Sequence, residues 1–306
     1  MMQRKELERR LGDIVEGRIA AGEPIARHAT LGVGGPADLM VFPKTEEELR
    51  GVLRLLAAGG IPKLVLGAGS DLIVRDGGFR GVCIRLARNL AGSKIAGDRT
   101  LEAMAGESLA SILRLSRQAS LSGLEFLATV PGTVGGGVAT NVGAYGDSFA
   151  NRLEGIDLLD GQGRGIRLGR EAIEAEYRAI RLPEGAVVVR ARFALEPADR
   201  DVIEEKVEKN REHRKRTQPL KEATAGCIFK NPSEWEYAGQ LIDRAGLKGL
   251  RIGGAAVSTL HGNFIVNEGG ATAADVLALV EEIRRRVREQ SGVDLEPEVR
   301  IVGEEA

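Results

Sequence analysis

The stretch at residues 131–146, PGTVGGGVATNVGAYG, constrains the fold most, because six of its sixteen residues are glycine. Glycine loses more backbone entropy on ordering than any other residue, so such a run is a poor interior for a helix or strand. Glycine does permit positive φ angles, and it lets bare backbone lie against a ligand. Val134, Val138 and Val142 recur every four residues. The pattern predicts a turn and a short helix whose amino end meets a phosphate or flavin oxygen; the alternative is a tight turn between core elements.

Composition narrows the class of protein. The chain has 306 residues, enough for two domains, and its 43% apolar and 28% charged residues are ordinary proportions for a soluble enzyme. A net charge of −1 lacks the basic excess of nucleic-acid binders, and no apolar run approaches the ~20 residues of a membrane span. The amino terminus is charged throughout, and two distant cysteines, Cys83 and Cys227, argue against a disulfide framework. We therefore expect a cytoplasmic enzyme with neither nucleic acid nor membrane as a partner.

Helical and strand patterns alternate along the chain and predict an α+β fold. Thr45 and Ser108 stand where they can cap helices, the second of which is closed by Gly123. A β-rich stretch ends at Glu196–Pro197, and the polar residues after it indicate a domain boundary. We expect a helical segment at 1–26, a first domain at 27–198 and a second, smaller domain at 199–306.

Several familiar sites can be excluded. GAGSDL at 67–72 has the first two glycines of a dinucleotide-binding fingerprint, but leucine stands at the third position. The chain has neither a phosphate loop ending in Gly-Lys-Ser/Thr nor a His-Glu-x-x-His motif. His28, His213 and His261 have no ligand-like spacing, so we expect no metal. The basic run at 211–216 predicts a solvated helix face, with a contact to a ligand phosphate as the alternative.

Three glycine-rich segments, at 31–38, 66–81 and 131–146, supply more backbone N–H groups than one phosphate needs. Polar side chains within them add further donors and acceptors. This pattern suits a long ligand with a pyrophosphate and a polar ring, and non-covalently bound FAD fits that description. The residues predicted to contact it are Gly67, Gly69, Ser70, Asp71, Pro131, Gly132, Thr133, Gly136, Asn141, Gly143 and Tyr145.

Seven motifs in a fixed order connect the chain with a known family: LGAGSDLIVRDGGFRGV, GLEFLATVPGTVGGGVATNVGAYG, AGCIFKNP, GQLIDRAGLKG, IGGAAVS, HGNFIVN and LEPEVRIVG. From about residue 27 to residue 303 the chain resembles the UDP-N-acetylenolpyruvoylglucosamine reductase family, in a shorter form that lacks an inserted substrate-covering loop. The resemblance implies a two-lobed FAD-binding domain of the vanillyl-alcohol oxidase type and a smaller α/β substrate-binding domain. The implied partners are a UDP-sugar substrate and NADPH, and the implied protein is a monomer or weak oligomer.

The resemblance also implies a reaction, the reduction of UDP-N-acetyl-3-O-(1-carboxyvinyl)-glucosamine to UDP-N-acetylmuramate in peptidoglycan precursor synthesis. In this family NADPH gives hydride to flavin N5, reduced flavin gives hydride to C3 of the enolpyruvyl group, and an acid protonates C2. The family uses an arginine, a glutamate and a hydroxyl or thiol, and the resemblance places these roles on Arg178, Glu298 and Cys227. Arg178 can hold the substrate carboxylate through a bidentate charge-assisted fork. Ile180 stands where the family usually has serine, so a supporting hydrogen bond is lost.

Each of these residues also has a structural interpretation. On the residues alone, Arg178 belongs to an ordinary surface segment with Tyr177 in the core, and Glu298 is a solvated strand residue. Cys227 stands where most members have serine; a thiol with the ordinary pKa of about 8.5 stays mostly protonated and can donate a proton at neutral pH. Its alternative is a buried structural cysteine, which is our interpretation of Cys83.

Further substrate contacts follow from the resemblance, and two other functions stay open. The implied contacts are Tyr177, Arg214, Gln218, Lys230, Asn231, Gln240 and Asn263, with Arg214 and Gln218 assigned to the uridine diphosphate. One alternative function is an FAD-dependent alcohol oxidase or dehydrogenase of the same fold. The other is a non-catalytic nucleotide-binding regulator that uses the same glycine-rich loops.

Overall fold

The computed structural model describes residues 4–306 of the chain. Contacts divide the chain into two compact units that interleave along the sequence. The first unit contains the segment that ends at Ala21, Leu39–Ala68 and Gly81–Glu212, and the second contains Gly22–Asp38, Gly69–Arg80 and His213–Ala306. The expected domains at 1–26, 27–198 and 199–306 are continuous segments and differ from this division. Those bounds stay a prediction, and residues 1–3 lie outside the described residues.

The helices agree with the sequence pattern in most places. Thr45 Oγ1 accepts a hydrogen bond from Glu48 N at 3.1 Å, and Ser108 Oγ accepts one from Ser111 N at 3.0 Å, so both predicted caps are confirmed. The helix after Ser108 ends well before Gly123, and that part of the prediction is wrong, because the residues after its last turn form a short strand. The α-helices are α1 Arg4–Gly12, α2 Glu46–Gly59, α3 Leu109–Gln118, α4 Val134–Ala139, α5 Arg200–Thr217, α6 Ala238–Arg244 and α7 Ala273–Ser291.

Short 3₁₀ turns and many strands complete the described chain. The 3₁₀ turns are Ile25–His28, Glu125–Leu127, Phe149–Asn151 and Arg170–Ala172. The strands as far as the glycine-rich run are β1 Ile19–Pro24, β2 Pro36–Val41, β3 Lys63–Leu66, β4 Leu72–Val74, β5 Phe79–Arg85, β6 Ser93–Ala96, β7 Thr100–Met104, β8 Leu121–Ser122, β9 Gly143–Ala144 and β10 Asp147–Ser148. The later strands are β11 Leu153–Leu159, β12 Gly165–Gly169, β13 Ala175–Glu176, β14 Ala179–Ile180, β15 Val187–Ala194, β16 Glu196–Pro197, β17 Ala223–Cys227, β18 Arg251–Ile252, β19 Ala255–Val257, β20 Phe264–Asn267 and β21 Arg300–Val302.

The first unit is built on an antiparallel five-stranded sheet with the order β12-β11-β15-β7-β6. A second sheet has the order β1-β2-β5-β3, and β3 runs parallel to β5 with Leu66 opposite Arg85. Helix α4 packs on β15. Phe149, fully buried next to α4, lies with its ring centroid 4.7 Å from that of Phe193 and 6.3 Å from that of Phe126. This aromatic cluster packs against α4 and so supports the glycine-rich segment.

The second unit has an antiparallel sheet with the order β17-β20-β19-β18, against which α7 packs. Its core contains Ile73, Ile242 and Val280, all fully buried. Strand β4 pairs in parallel with the last strand β21, and this pairing explains why residues 69–80 belong with the C-terminal part of the chain. Within residues 4–306, no helix is both long enough and apolar enough to span a bilayer.

Candidate active site

The turn at the start of the glycine-rich segment ends at Thr133, the residue immediately before α4. Thr133 is 3% exposed, and within residues 4–306 its Oγ1 has no hydrogen-bond partner. A Cβ added at Gly67 would lie 2.4 Å from this Oγ1, and one added at Gly136 would lie 3.5 Å from it. The two glycines thus leave space around a buried hydroxyl. Because a buried hydroxyl without a partner costs free energy, this arrangement suits a bound ligand that hydrogen-bonds to it.

Other glycines of the segment serve packing instead. A Cβ at Gly137 would lie 2.7 Å from Cε2 of Phe149, and one at Gly135 would lie 2.9 Å from Cβ of Ala105. A Cβ at Gly143 would lie 2.8 Å from the carbonyl oxygen of Asp147. Real Cβ atoms do not approach other atoms so closely. The structural alternative for the glycine run therefore applies to these positions, while the predicted short helix is confirmed as α4.

The predicted residues Gly69, Ser70 and Asp71 lie in the second unit. Gly69 has a φ of +65°, and a Cβ there would lie 2.3 Å from the carbonyl oxygen of His28, so only glycine fits. Thr30 holds this turn, because its N donates to Gly69 O at 2.9 Å. Asp71 continues the chain towards β4, and its carbonyl oxygen accepts a hydrogen bond from the N of Arg300 at 3.2 Å.

Arg178 lies in the first unit, in the turn between β13 and β14. Its Nη1 donates to the carbonyl oxygen of Gly143 at 2.9 Å, and its Cζ lies 5.3 Å from the ring centroid of Tyr177. Tyr177 is 54% exposed, so it is not the core residue of the structural interpretation. Ile180, where a serine was expected, is 5% exposed and belongs to the hydrophobic core of this unit. Burial of an apolar side chain there anchors the turn that carries Arg178.

Two predicted cofactor residues use their side chains within the protein. The Tyr145 hydroxyl donates to the carbonyl oxygen of Asn210 at 3.0 Å. Asn141 donates from Nδ2 to the carbonyl oxygen of Glu176 at 2.9 Å, and its Oδ1 accepts from Ala150 N at 3.0 Å. Pro131 and Gly132 lie in the turn before Thr133, where Gly132 has a φ of +147°.

Cys227 and Glu298 lie on adjacent extended segments of the second unit. Glu298 N donates to the carbonyl oxygen of Ile228 at 2.7 Å, and Phe229 forms a β-bridge with Pro297. Both Cys227 and Glu298 are half-buried, which leaves part of each side chain accessible. The structure thus brings together two of the three predicted catalytic residues within one unit, through a backbone register that the motifs alone did not reveal.

Asn263 fixes the segment that contains Cys227. Asn263 is 3% exposed; its Oδ1 accepts from Phe229 N at 2.9 Å, and its Nδ2 donates to Phe229 O at 2.8 Å. Its own carbonyl oxygen accepts from Ile228 N at 2.9 Å. Both polar atoms of the side chain bond to the backbone of Phe229, so Asn263 supports the segment beside Cys227.

The other predicted substrate residues surround the loop before α6. Lys230 pairs with Glu296, with Nζ 2.6 Å from Oε1. Asn231 Oδ1 accepts from Ala238 N at 3.2 Å, which satisfies a donor at the start of α6. Gln240 is exposed on α6. Of these residues, Lys230 and Gln240 have long polar side chains, the first half-buried and the second exposed.

Arg214 departs from the expectation of a solvated basic face. It is 9% exposed, although His213, Lys215 and Arg216 around it are exposed. Gln218 N donates to Arg214 O at 2.8 Å, and the buried Oε1 of Gln218 has no partner among the described residues. A buried cation and a buried unsatisfied acceptor one helical turn apart are suited to a ligand that offers both an anion and a hydrogen-bond donor.

His261 lies close enough to Arg214 for the arginine charge to lower its pKa, and sequence reasoning missed it because this histidine was considered only as a metal ligand. Its Nδ1 accepts from Asn263 N at 3.2 Å, which places the proton of the neutral ring on Nε2. Burial lowers the pKa of His261, and the positive charges of Lys248 and Arg214 lower it further. The HGNFIVN motif was the signal, since it places this histidine two residues before the supporting Asn263.

Two family models match the chain. A UDP-N-acetylenolpyruvoylglucosamine reductase C-terminal domain model matches residues 218–302, and an FAD-binding domain model matches residues 37–169. The UDP-N-acetylenolpyruvoylglucosamine reductase of Geobacter metallireducens is 46% identical over 98% of this chain and 99% of its own length. The chain belongs to the UDP-N-acetylenolpyruvoylglucosamine reductase family. The enzyme of that name from Heliobacterium modesticaldum is 44% identical over 92% of this chain and 90% of its own length.

Solved structures agree with this membership. The crystal structure of UDP-N-acetylenolpyruvylglucosamine reductase from Thermus caldophilus has a TM-score of 0.80 and 38% identity, and the match covers 94% of this chain and 98% of that chain. The grass pollen allergen Phl p 4, described as having glucose dehydrogenase activity, has a TM-score of 0.51 at 13% identity over 63% of this chain and 44% of that chain. At that identity the likeness concerns the fold alone. The predicted α+β fold, with an FAD-binding domain of the vanillyl-alcohol oxidase type and a substrate-binding domain, is confirmed.

The electrostatics around His261 can be tested by titration. We expect the pKa of His261 to lie below the ordinary value of about 6.5, because burial and two nearby cations disfavour the imidazolium. Lys248→Gln removes one cation and raises that pKa, whereas Lys221→Gln, at an exposed position, leaves it unchanged. Ring-proton NMR between pH ~5 and ~8 separates the histidines. A His261 that titrates at or above the ordinary value, or that ignores Lys248→Gln, contradicts this electrostatic account.

Proposed function

We propose that this chain is an NADPH-dependent flavoenzyme that reduces UDP-N-acetyl-3-O-(1-carboxyvinyl)-glucosamine to UDP-N-acetylmuramate, a step of peptidoglycan precursor synthesis. The observation that carries the proposal is the 46% identity to a named reductase over 98% of this chain and 99% of the relative. The match covers nearly the whole of both chains, so it spans the glycine-rich segments and the segments that contain Arg178, Cys227 and Glu298. It therefore supports a shared activity rather than a shared fold alone.

The residues present fit FAD. The buried Thr133 Oγ1 without a partner, and the space beside it at Gly67 and Gly136, form a polar cradle that a Cβ would fill. These residues and the neighbouring Pro131–Gly132 backbone would hold the cofactor non-covalently. When bound, FAD would supply the hydride-transfer chemistry that connects NADPH with the enolpyruvyl double bond.

Arg178 supplies positive charge for the substrate carboxylate. As C3 gains a hydride, negative charge builds at C2 and on the carboxylate, and a guanidinium beside it stabilises that charge. One of its nitrogens, Nη1, donates to Gly143 O at 2.9 Å, which fixes the guanidinium on one side. The positive φ of Arg178, +61°, shows that the turn holds this residue in a conformation that arginine adopts at a cost.

Cys227 and Glu298 provide the proton chemistry of the second unit. We assign the Cys227 thiol as the acid that gives its proton to C2, which completes the addition of one hydride and one proton across the double bond. The thiolate regains its proton from solvent, because Cys227 is half-buried rather than sealed. Glu298, one residue beyond Pro297 on the facing segment, is assigned to the developing enol of the same substrate group.

Arg214, Gln218 and His261 are assigned to the uridine diphosphate. Arg214 and Lys248 supply the positive charge that a diphosphate needs, and the Gln218 Oε1 offers an acceptor to a sugar hydroxyl or base N–H. His261, with its proton on Nε2, offers a neutral donor near them. Tyr177, Lys230, Asn231 and Gln240 stay assigned to the substrate as well, while Asn263 acts through Phe229.

An anaerobic titration followed by visible absorption tests the proposed function. The purified protein, reconstituted with FAD where needed, should lose its flavin absorption on addition of NADPH and regain it on addition of the enolpyruvyl sugar nucleotide. Bleaching without recovery, together with bleaching by an alcohol, would favour an alcohol oxidase or dehydrogenase. A protein that binds no flavin after reconstitution would favour the non-catalytic regulator and overturn the proposal.

Thr133→Val tests the cofactor cradle. The exchange is nearly isosteric and removes an unsatisfied buried hydroxyl, so apoprotein stability should stay equal or rise by up to about 1 kcal/mol. FAD affinity should fall about 10-fold, the value of one lost hydrogen bond of ~1 kcal/mol or slightly more. Denaturant unfolding of the apoprotein and a flavin fluorescence titration measure the two effects.

The matched control is Thr140→Val, at a half-buried position in the same segment. Thr140 Oγ1 already donates to the carbonyl oxygen of Gly136 at 3.0 Å, so this variant should leave FAD affinity within twofold of wild type, roughly the error of such a titration. A Thr133→Val protein that is less stable but binds FAD normally would show that Thr133 is structural.

Substitution of Cys227 tests the proton donor. Cys227→Ser keeps a donor and should retain substantial turnover, whereas Cys227→Ala should slow flavin reoxidation by the sugar nucleotide about 10²- to 10⁴-fold, the usual contribution of a general acid. Reduction by NADPH, which needs no proton at C2, should be unchanged in both. Cys83→Ala, at a fully buried strand position, is the control and should keep both half-reaction rates. Normal reoxidation of the Cys227→Ala protein removes the thiol from the mechanism.

A further inference from the structure

Both polar atoms of the Asn141 side chain bond within the protein, although its position in the glycine-rich run suggested a cofactor contact. Asn141 is 8% exposed. Its Oδ1 accepts from Ala150 N at 3.0 Å, and its Nδ2 donates to the carbonyl oxygen of Glu176 at 2.9 Å. Neither bond is a local one, since the partners lie nine and thirty-five residues away. The amide therefore links three separate parts of the first unit.

One of those parts is the turn that carries Arg178. Glu176 is the last residue of β13, two residues before Arg178, and β13 and β14 form a hairpin of two residues each. Ala175, Glu176 and Tyr177 are exposed, so little packing holds this side of the hairpin. The buried Ile180 anchors the β14 side of the hairpin, and the hydrogen bond from Asn141 to Glu176 connects the β13 side to the buried part of the unit.

A second hydrogen bond connects the same two segments, with the hairpin as the donor. Arg178 Nη1 donates to the carbonyl oxygen of Gly143 at 2.9 Å, two residues after Asn141. The Asn141 amide therefore fixes the backbone of the hairpin, and the Gly143 carbonyl fixes the guanidinium. The two bonds place residues 141–143 and 176–178 side by side at two points, which determines both position and direction.

The third part is a rigid support. Ala150 follows Phe149, whose ring is fully buried against Phe193. Through its Oδ1, Asn141 is held to this core, and its own positive φ of +42° is one that asparagine tolerates better than most residues. The side chain transmits the rigidity of the aromatic cluster to an exposed hairpin.

We propose that Asn141 is a positioning residue for Arg178, which orients the guanidinium toward the substrate carboxylate, and that its amide does not serve as a cofactor ligand. The inference rests on the proposed function, because it assigns Asn141 to the half-reaction in which the sugar nucleotide is reduced. A misplacement of about 1 Å at a group that stabilises charge is enough to cost on the order of 10²-fold in rate.

Asn141→Asp separates the two hydrogen bonds. Aspartate tolerates the positive φ and keeps an acceptor for Ala150 N, but it has no N–H for Glu176 O and places a carboxylate oxygen against that carbonyl. FAD affinity and the rate of flavin reduction by NADPH should stay within about threefold of wild type, while reoxidation by the sugar nucleotide should be about 10- to 100-fold slower. Affinity for UDP alone should be unchanged.

The control is Asn89→Asp, which loses the Nδ2 bonds to Ala87 O and Arg85 O and should keep both half-reactions.

The decisive measurement combines Asn141→Asp with Arg178→Ala. If Asn141 acts through Arg178, the double variant should be no slower in reoxidation than Arg178→Ala alone, since the effect of Asn141 disappears once Arg178 is absent. Multiplicative losses, or a fall in FAD affinity of more than 10-fold in Asn141→Asp, would overturn the inference. The affinity limit corresponds to the loss of a direct cofactor bond.

Asn141→Gly, which accommodates the positive φ and loses both hydrogen bonds, serves for the same double-variant cycle if the aspartate variant fails to fold. Failure of the wild-type protein to be reoxidised would instead contradict the proposed function, so the two failures are distinguishable.

Discussion

The structure of the first unit depends on the close approach of backbone to core along residues 135–143. Gly135 and Gly137 leave no room for a Cβ, because Ala105 and the ring of Phe149 occupy that space. The short helix α4 can therefore pack directly on β15, and the buried aromatic rings hold the turn before it. This contact fixes the positions of Thr133, just before α4, and Asn141, just after it. A ligand cradle and a support for Arg178 are two consequences of the same packing constraint.

In the second unit a pair of extended segments has the corresponding role. The segment that contains Cys227 is fixed on one side by Asn263 and on the other by the backbone of Glu298. Asn263 bonds to both the N and the O of Phe229, an arrangement that leaves no backbone group of that buried residue unsatisfied. His261 accepts the N–H of Asn263, so the segment beside Cys227 and the group around Arg214 share one supporting residue. Packing also affects the electrostatics here, since partial burial and the nearby cations Lys248 and Arg214 lower the pKa of the half-buried His261.

Sequence reasoning succeeded where a local signal had one physical meaning. The caps at Thr45 and Ser108 and the short helix after Thr133 follow from local propensity and turn chemistry, and the structure contains them. Reasoning was less successful where one residue type has several uses. Glycines that serve packing, such as Gly137, look the same in the sequence as glycines that make space for a ligand, such as Gly67. On local pattern alone Arg214 looked like one member of a solvated basic run, because nothing local distinguishes the buried position from its exposed neighbours. Only the family resemblance assigned it to the uridine diphosphate.

The sequence by itself determined the class of fold, the glycine-rich segments, the resemblance to a reductase family and the identity of the candidate residues. These depend on local patterns and on the order of motifs, which are properties of the chain read in one dimension. Only the tertiary structure decided which polar atoms are already used: the Asn141 amide bonds to Glu176 and Ala150, whereas the Thr133 hydroxyl has no partner among the described residues. The structure also decided that the segments around residues 30 and 70 join the C-terminal strands. Hydrogen bonds and burial between residues far apart in the chain determine such facts, and no local pattern encodes them.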